Sequence, residues 1–200
     1  MTQKKITVVD FETTGLSPDF GDRITEMGAI KLVDNQVCGV FSSLIFPERV
    51  IPQAAIDITG ITNEMVKNAP TIGAALPLFM EFIEDDTLVM HNVKFDSSFL
   101  KYELKHIGIE KKIEFFCTLT AARKEIKSPN FKLATLKNVL GLKTFGSMHR
   151  ALSDAFVTAQ LYLRLKKSCG IDTIQNMEKE VKKLLEEMEN DDLYVIKPIK

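Results

Sequence analysis

The sequence predicts an α/β domain built around a mixed β-sheet, and three observations support this. The chain has 200 residues, of which 45% are apolar and 26% are charged, a composition typical of one compact globular domain. Three strand-like segments come first in succession, as in an antiparallel meander. The rest of the chain alternates short strands with helical patterns, which adds strands to the same sheet.

Five segments carry the β-branched and aromatic residues typical of strands. They are residues 6–11, 24–33, 37–46, 87–90 and 113–116. Turn residues at 15–18 end the first strand, and the polar turn 34–36 separates the second from the third. The two strands on either side of that turn are expected to pair antiparallel. The fourth segment is short and apolar, which indicates a buried strand.

Apolar residues three or four positions apart predict helices between and after these strands. Phe99, Leu100 and Leu104 show this spacing after the fourth strand. A mostly helical stretch also follows Pro52. The helices predicted by periodicity are residues 71–84, 95–107, 118–126, 133–140 and 151–168.

The last thirty residues differ in composition from the rest. Residues 172–190 are rich in Glu and Lys, with apolar residues at helical spacing from Met177 to Met188. We therefore expect one domain over residues 1–170 and a charged amphipathic helix or tail over residues 171–200. This helix either packs on the domain or binds a partner.

Composition and charge exclude several classes of protein. Cys38, Cys117 and Cys169 are far apart and lack zinc-ligand spacing, which indicates free thiols in a reducing compartment. No apolar stretch has the length of a signal peptide or a membrane span, so we expect a cytoplasmic protein without a membrane partner. The net charge of −1 argues against a passive coat on duplex nucleic acid, since such proteins are strongly basic.

A pair of acids closes the first strand. Side chains alternate between the faces of a strand, so Ile6, Val8, Asp10 and Glu12 are expected to point the same way. Two carboxylates that continue an apolar face are partly withdrawn from water, where anions are unfavourable unless a cation neutralises them. Carboxylate oxygens suit Mg²⁺ or Mn²⁺. The alternative is a solvated pair at the end of a strand.

Two further acids and a histidine lie beside later elements. Asp96 follows a buried strand and opens a helix, at the sheet edge where α/β proteins bind ligands, although it could simply cap that helix. Asp154 lies on a largely apolar helix face, where an acid is unfavourable unless it has a partner or a function. His149 precedes this helix in a loop that is free to reach a site, although a lone histidine is more often a surface residue.

Together these acids supply four oxygen ligands from Asp10, Glu12, Asp96 and Asp154, without a Cys/His set of the zinc type. Four carboxylates and one imidazole are the groups of a two-metal phosphodiesterase site. In such a site the metals stabilise the charge that builds on the scissile phosphate and on the leaving oxygen. His149, neutral near pH 7, would take the proton of the attacking water as general base.

The segments around these residues resemble the motifs of the DnaQ-like, or DEDDh, 3′→5′ exonucleases. The likeness runs in order, at ordinary spacing, over roughly residues 5–166, and includes members of the epsilon type, the proofreading subunits of bacterial DNA polymerase III. The three motif-like segments are VVDFETTG (8–15), HNVKFD (91–96) and HRALSDA (149–155), with DRITEMGAI (22–30) and ITGIT (58–62) also similar.

The resemblance implies an RNase H-like fold, a five-stranded mixed sheet flanked by helices. It implies two Mg²⁺ or Mn²⁺ ions held by the four acids, His149 as general base, and nucleoside 5′-monophosphates released from the 3′ end of single-stranded DNA. It also implies a set of substrate contacts, with Ile61 wedged against the terminal bases and Asn92 supporting the site. The candidates for substrate contact are Thr13, Thr14, Leu16, Ile61 and Asn92.

Some features leave alternatives open. Many relatives carry Asp-Thr where this chain has Cys117-Thr118, and we do not expect Cys117 to touch a metal. A basic cluster either approaches a phosphate backbone or is solvated surface; its members are Arg123, Lys124, Lys127 and Lys132.

The substrate and the partner also remain open. An exoribonuclease resembling RNase T or oligoribonuclease would share the motifs, since contacts to the 2′-hydroxyl distinguish RNA from DNA. A separate DNA polymerase would dock through residues 172–200. A non-catalytic module that binds single strands or a replication partner is expected to have lost a ligand or the base, and here none is lost.

Overall fold

The computed structural model describes residues 5–167, 171–188 and 193–196. In these residues six strands form one mixed sheet in the order β5-β4-β1-β2-β3-β6. Strand β1 pairs antiparallel with β2 and parallel with β4. The strands in chain order are β1 (Lys5–Thr13), β2 (Ile24–Val33), β3 (Gln36–Leu44), β4 (Thr87–Met90), β5 (Phe115–Cys117) and β6 (Tyr194–Ile196).

The predicted α/β fold and its five-stranded mixed sheet are confirmed. The short strand β6 adds a sixth strand, which the sequence did not predict because it lies within the charged tail. It pairs antiparallel with β3, and the ring of Tyr194 stacks on Phe41 with centroids 6.2 Å apart. The Tyr194 ring also lies edge-on to the Phe82 ring at 5.6 Å, so backbone pairing and aromatic contacts together hold this segment at the sheet edge.

Eight helices flank the sheet in the described part of the chain. Five of them, α3 to α7, agree with the helices predicted by periodicity to within a few residues, and α7 ends at Leu165, three residues earlier than predicted. Helices α1 and α2 lie in the stretch after Pro52 that was predicted to be mostly helical. The helices are α1 (Gln53–Thr59), α2 (Asn63–Val66), α3 (Ile72–Ile83), α4 (Val93–His106), α5 (Thr118–Glu125), α6 (Leu133–Leu140), α7 (Ala151–Leu165) and α8 (Ile171–Glu187).

The two faces of β1 belong to two different apolar clusters. Val9 and Phe11 lie in the cluster that contains the apolar residues of α3 and α4. Ile6 and Val8 lie in the cluster on the opposite face, together with Phe156 of α7. Alternation along the strand therefore directs Asp10 and Glu12 to the face that α7 covers.

Helix α8 contributes to the same core as α7. Met177, Val181 and Leu184 are buried in the cluster that contains Val40 of β3 and Phe156. Its described apolar stripe therefore packs on the sheet instead of facing solvent. No helix among the described residues has the length and apolar character needed to cross a membrane.

Candidate active site

The first two acids lie at the carboxyl end of β1, in the centre of the sheet. In the β1–β2 ladder Asp10 is opposite Gly28 and Glu12 is opposite Glu26. Glu12 is buried and Asp10 is half-buried. The sheet thus places three carboxylates side by side, which is unfavourable unless positive charge is supplied from elsewhere.

Helix α4 brings Asp96 to this edge. Asp96 is in the first turn of α4, and its Oδ1 accepts a hydrogen bond from the Phe11 backbone N–H at 3.2 Å. The bond ties the carboxylate to the segment of β1 between Asp10 and Glu12. Asn92, just before the helix, has φ 64°, in the left-handed region that asparagine tolerates better than most residues. It makes the turn from β4 into α4.

Helix α7 brings Asp154 and His149. Asp154 is buried in the first turn of the helix, and its Oδ2 accepts a hydrogen bond from the His149 backbone N–H at 3.2 Å. His149 has φ 61°, and its side chain is exposed. Potential ligand atoms of Glu12, His149 and Asp154 all lie within 4.8 Å of one another. Three predicted residues from two distant segments of the chain therefore form one compact group.

Electrostatics link Asp10 and Asp96 to the group. Burial raises the pKa of Asp10 well above its ordinary value, and the nearby charges of Asp96, Glu12 and Asp154 raise it further. Burial, followed by the charges of Asp154, Glu26 and Asp96, raises the pKa of Glu12 to about 8. Burial also raises the pKa of Asp96 to about 7 and that of Asp154 to about 6. The ionised forms of these four carboxyl groups are therefore unfavourable unless a cation binds among them.

The donor set fits a divalent metal ion. Asp154 Oδ1 is buried and has no hydrogen-bond partner among the residues that the structure describes, so a ligand oxygen is available. The neighbouring donors are carboxylate oxygens and one imidazole, which suit Mg²⁺ or Mn²⁺. A bound cation would offset the cost of burying the ionised carboxylates, which raises all four pKa values, and the repulsion that raises those of Asp10 and Glu12 further.

Glu26 and Arg150 position the loop that carries His149, and sequence reasoning assigned neither a role. The Arg150 guanidinium donates to both oxygens of Glu26, with its closest contact at 2.6 Å, and the Ala151 backbone N–H donates to Glu26 Oε2 at 2.9 Å. Glu26 therefore fixes the start of α7 directly behind His149. The sequence signal for such a partner was an acid within a largely apolar strand segment, residues 24–33. A buried acid in that position requires a cationic or hydrogen-bonding partner.

Gly28 explains how α7 comes so close to the sheet. A Cβ atom at this position would lie 2.2 Å from the backbone nitrogen of Leu152 and 2.3 Å from the carbonyl carbon of Ala151. Only glycine allows the helix backbone this approach. A glycine within a strand pattern is the sequence signal for such an approach.

The remaining predicted contacts fall into two groups. Thr13 and Thr14 are buried and stabilise the loop after β1, because their hydroxyls donate to Gly15 O at 2.6 Å and to Asp22 Oδ1 at 3.2 Å. Leu16 is 85% exposed on the same loop and is available to a ligand.

Ile61 does not fit its predicted role as a wedge against the bases. Its side chain is 0% exposed and lies in a cluster with Ile51, Ala55 and Val66. It therefore has no surface to offer a base in this structure, because α1 and α2 close over it. The prediction finds no support here, and the exposed apolar side chains of this region are Ile58 and Met65.

Cys117 and the basic cluster lie outside the metal-binding group. Burial opposes ionisation of Cys117, but hydrogen bonds from Thr120 and from the backbone of Val93 and Asn92 hold its pKa below the usual value. All four basic side chains of the predicted cluster are exposed; they are Arg123, Lys124, Lys127 and Lys132.

Comparisons with known proteins find an exonuclease family and DNA polymerase III components among the relatives of this chain. The RNase T family model, described as exonuclease, matches residues 7–162. The chain is 41% identical over 176 residues to DNA polymerase III PolC-type from Thermotoga maritima, covering 86% of this chain but only 13% of that protein. It is 35% identical to DNA polymerase III subunit epsilon from Aquifex aeolicus, covering 79% of this chain and 78% of the relative.

Solved structures show the same fold. Exonuclease X, in complex with 5′ overhanging duplex DNA, is 26% identical with a TM-score of 0.68, over 86% of this chain and 98% of that chain. The nuclease domain of 3′hExo, a DEDDh family member bound to rAMP, is 22% identical with a TM-score of 0.70, over 82% and 92% of the two chains. The extent of the family match and the identity to the epsilon subunit lead to one conclusion: this chain belongs to the RNase T family of exonucleases, in its DnaQ-like branch.

Proposed function

We propose that this protein is a metal-dependent 3′→5′ exonuclease that releases nucleoside 5′-monophosphates from single-stranded DNA. The observation that carries the proposal is the group of Glu12, Asp154 and His149 within 4.8 Å, beside the half-buried Asp10 and the buried Asp96. The PolC-type and epsilon relatives are components of DNA polymerase III by name, which favours DNA as the substrate and proofreading as the role.

Asp10, Glu12, Asp96 and Asp154 would hold two Mg²⁺ or Mn²⁺ ions. Burial and the neighbouring carboxylates make the ionised forms of these acids unfavourable, as their raised pKa values indicate. A bound cation would relieve this cost, which supports a metal site. When bound, these ions lower the pKa of a coordinated water and neutralise the negative charge on the phosphate.

His149 would accept the proton of the attacking water. Its exposed imidazole lies at the open side of the carboxylate group, while its backbone N–H holds Asp154 in place. The left-handed backbone at His149 is a conformation that the surrounding contacts must stabilise, and the Glu26–Arg150 pair next to it supplies them. The chain thus orients the base by its backbone and leaves the ring free to act.

Leu16 would contact the terminal nucleotide, with Thr13 and Thr14 shaping the loop that presents it. Asn92 would support the site through the turn that precedes Asp96. These proposed roles rest on the family resemblance and on the positions of these residues close to Glu12 and Asp96 in the chain.

An exoribonuclease is the second candidate. It is favoured by one observation, a similar fold in a nuclease domain bound to rAMP. The test is digestion of matched 5′-labelled DNA and RNA 20-mers with Mg²⁺, followed by analysis of both the ladder and the mononucleotides. We expect a ladder shortened from the 3′ end, 5′-monophosphates as products, and faster loss of DNA. Faster loss of RNA would select the second candidate, and internal cuts would contradict the exonuclease.

A DNA polymerase is the proposed partner. The described part of α8 buries Met177, Val181 and Leu184 in the core, so its apolar face is not available for docking. A polymerase would contact the exposed Lys- and Glu-rich face of α8, or residues 189–192 and 197–200, which lie outside the described part of the chain. Co-purification of the protein with a polymerase subunit, lost on charge reversal in α8, tests this contact.

A further inference from the structure

The solvent face of α4 carries cations and no exposed acid. At 3.6 residues per turn, Lys94, Lys101 and Lys105 fall within about 40° of one another on the helix. Asp96 and Glu103 lie on the opposite side, and both are buried. The three lysines form a straight basic stripe, which we call the α4 stripe.

Specific contacts hold the two acids of α4, Asp96 and Glu103, on the side of the helix away from the stripe. Glu103 is fully buried and receives two hydrogen bonds from Arg23, at 2.7 and 3.0 Å. Asp96 faces the candidate active site. Lys94 and Lys105 form no ion pair within the part of the chain that the structure describes, and Lys101 only lies over the Phe115 ring, 5.4 Å from its centroid. The stripe is therefore available to an anionic ligand.

A groove runs along the part of the stripe formed by Lys101 and Lys105, between α4 and the loop that follows β1. Its volume is about 650 Å³. Lys101, Lys105 and Tyr102 line one wall, and Pro18 and Asp19 of the 3₁₀ turn Pro18–Phe20 line the other. The only acid lining it is Asp19, which is exposed. The groove begins beside Ser98, two residues after Asp96. Its lining therefore runs from the N-terminal half of α4, whose first turn carries Asp96, to His106 at the C-terminal end of the helix.

Aromatic and apolar side chains surround the cations. The rings of Tyr102 and His106 lie parallel within the groove wall, at 7° and a centroid distance of 6.3 Å. Phe20 is 89% exposed at the end of the 3₁₀ turn. Phe20 directly follows Pro18 and Asp19, which line the groove, and so large an exposed aromatic ring next to a basic groove is a candidate for binding a ligand. Stacking platforms beside a basic groove are the means by which proteins hold single-stranded nucleic acid.

We propose that this groove binds the substrate strand on the 5′ side of its terminal nucleotide, with the α4 stripe on its phosphates and Phe20 and Tyr102 against its bases. The inference rests on the proposed function and deepens it. The stripe extends over twelve residues, or about 16 Å along the helix, enough to contact several nucleotides beyond the active site. Charge complementarity favours nucleic acid over a protein partner, because a polyanion would meet three cations with one exposed acid beside them.

Binding and turnover are tested separately. The variant Lys101→Gln/Lys105→Gln and the control Lys179→Gln/Lys183→Gln, which makes the same charge change on exposed positions of α8, are compared with the unmodified protein. Affinity for a fluorescent 20-nucleotide single strand is measured by anisotropy in EDTA over a series of salt concentrations. Hydrolysis of a dinucleotide, which is too short to reach the groove, is measured with Mg²⁺.

The α4 variant should bind the 20-mer more weakly, and the slope of log affinity against log salt should fall by roughly 1.4, since each lost phosphate contact on a single strand contributes about 0.7. The control should keep both values, and dinucleotide hydrolysis should be unchanged in all three proteins. Phe20→Ala should weaken binding at least about fivefold through lost stacking.

An unchanged salt slope in the α4 variant would overturn the inference and leave the groove to another partner. An equal loss on the dinucleotide would also overturn it, since the lysines would then act at the active site. If the unmodified protein fails to hydrolyse either substrate, the proposed function fails, whereas the binding result still tests the groove.

Discussion

Replacing Glu12 with Gln should stabilise the metal-free protein at alkaline pH. Burial and three neighbouring carboxylates raise the Glu12 pKa from 4.5 to about 8, so ionisation of this side chain is unfavourable in the folded state. One pKa unit corresponds to about 1.4 kcal/mol of free energy. Ionisation of Glu12 therefore lowers the free energy of unfolding by at most roughly 5 kcal/mol between low pH and pH 8. The amide also needs hydrogen-bond partners, so we expect a net gain of about 1–3 kcal/mol at pH 8.5.

The sign of the pH dependence is fixed by the direction of the shift. A carboxyl with a raised folded-state pKa binds a proton more tightly in the folded than in the unfolded chain. The unmodified protein therefore loses stability as pH rises from about 4.5 to 8, and the gain from Glu12→Gln should grow over the same interval. Urea unfolding in EDTA at several pH values between 5 and 8.5 measures this.

The control is Glu81→Gln, the same chemical change at an exposed position of α3. It should shift the unfolding free energy by less than about 0.5 kcal/mol at every pH. Excess Mg²⁺ should then reverse the order, because it stabilises the unmodified protein by mass action and binds the Glu12 variant less tightly. A Glu12 variant that is less stable in EDTA at pH 8.5, or a gain that does not change with pH, would refute the reasoning.

Further predictions concern the parts that support the site. Gly28→Ala should lower the unfolding free energy by about 1–3 kcal/mol or more, since its Cβ would overlap the Leu152 backbone, and thermal melting checks this. His149→Gln should lower kcat by about 10²–10⁴-fold while metal binding, followed by calorimetry, is retained; an unchanged kcat would remove it as the base. Arg150→Lys should lower kcat with little change in KM, because lysine cannot reproduce the two-oxygen contact to Glu26 that positions the loop of His149. Steady-state kinetics measure both constants, and an effect on KM alone would contradict this prediction.

Much of the site was predictable because strand geometry is local. The alternation of Ile6, Val8, Asp10 and Glu12 predicted one face, and the structure places the two apolar residues in the core beneath α7. Asp96 required only the rule that ligand sites lie beyond the carboxyl ends of strands. These inferences depend on periodicity and on element ends, which the sequence displays directly.

The supporting contacts were not predictable because they join distant parts of the chain. Glu26 and Arg150 are 124 residues apart, and nothing in either segment indicates the other. Ile61 shows the converse case: a motif suggested a contact with the bases, whereas packing of the surrounding helices buries the side chain in this structure. Strand β6 was missed because its few residues pair by backbone contacts within a tail of charged composition.

The most direct test of the central claim is the rate of nucleotide release from a single-stranded DNA 20-mer, measured with Mg²⁺ and again with excess EDTA. The claim is that Asp10, Glu12, Asp96, Asp154 and His149 form a metal-dependent exonuclease site. It predicts release of 5′-monophosphates from the 3′ end with Mg²⁺, none with EDTA, and none from a folded Asp10→Asn variant under either condition. Release that persists in EDTA or in that variant would contradict the claim.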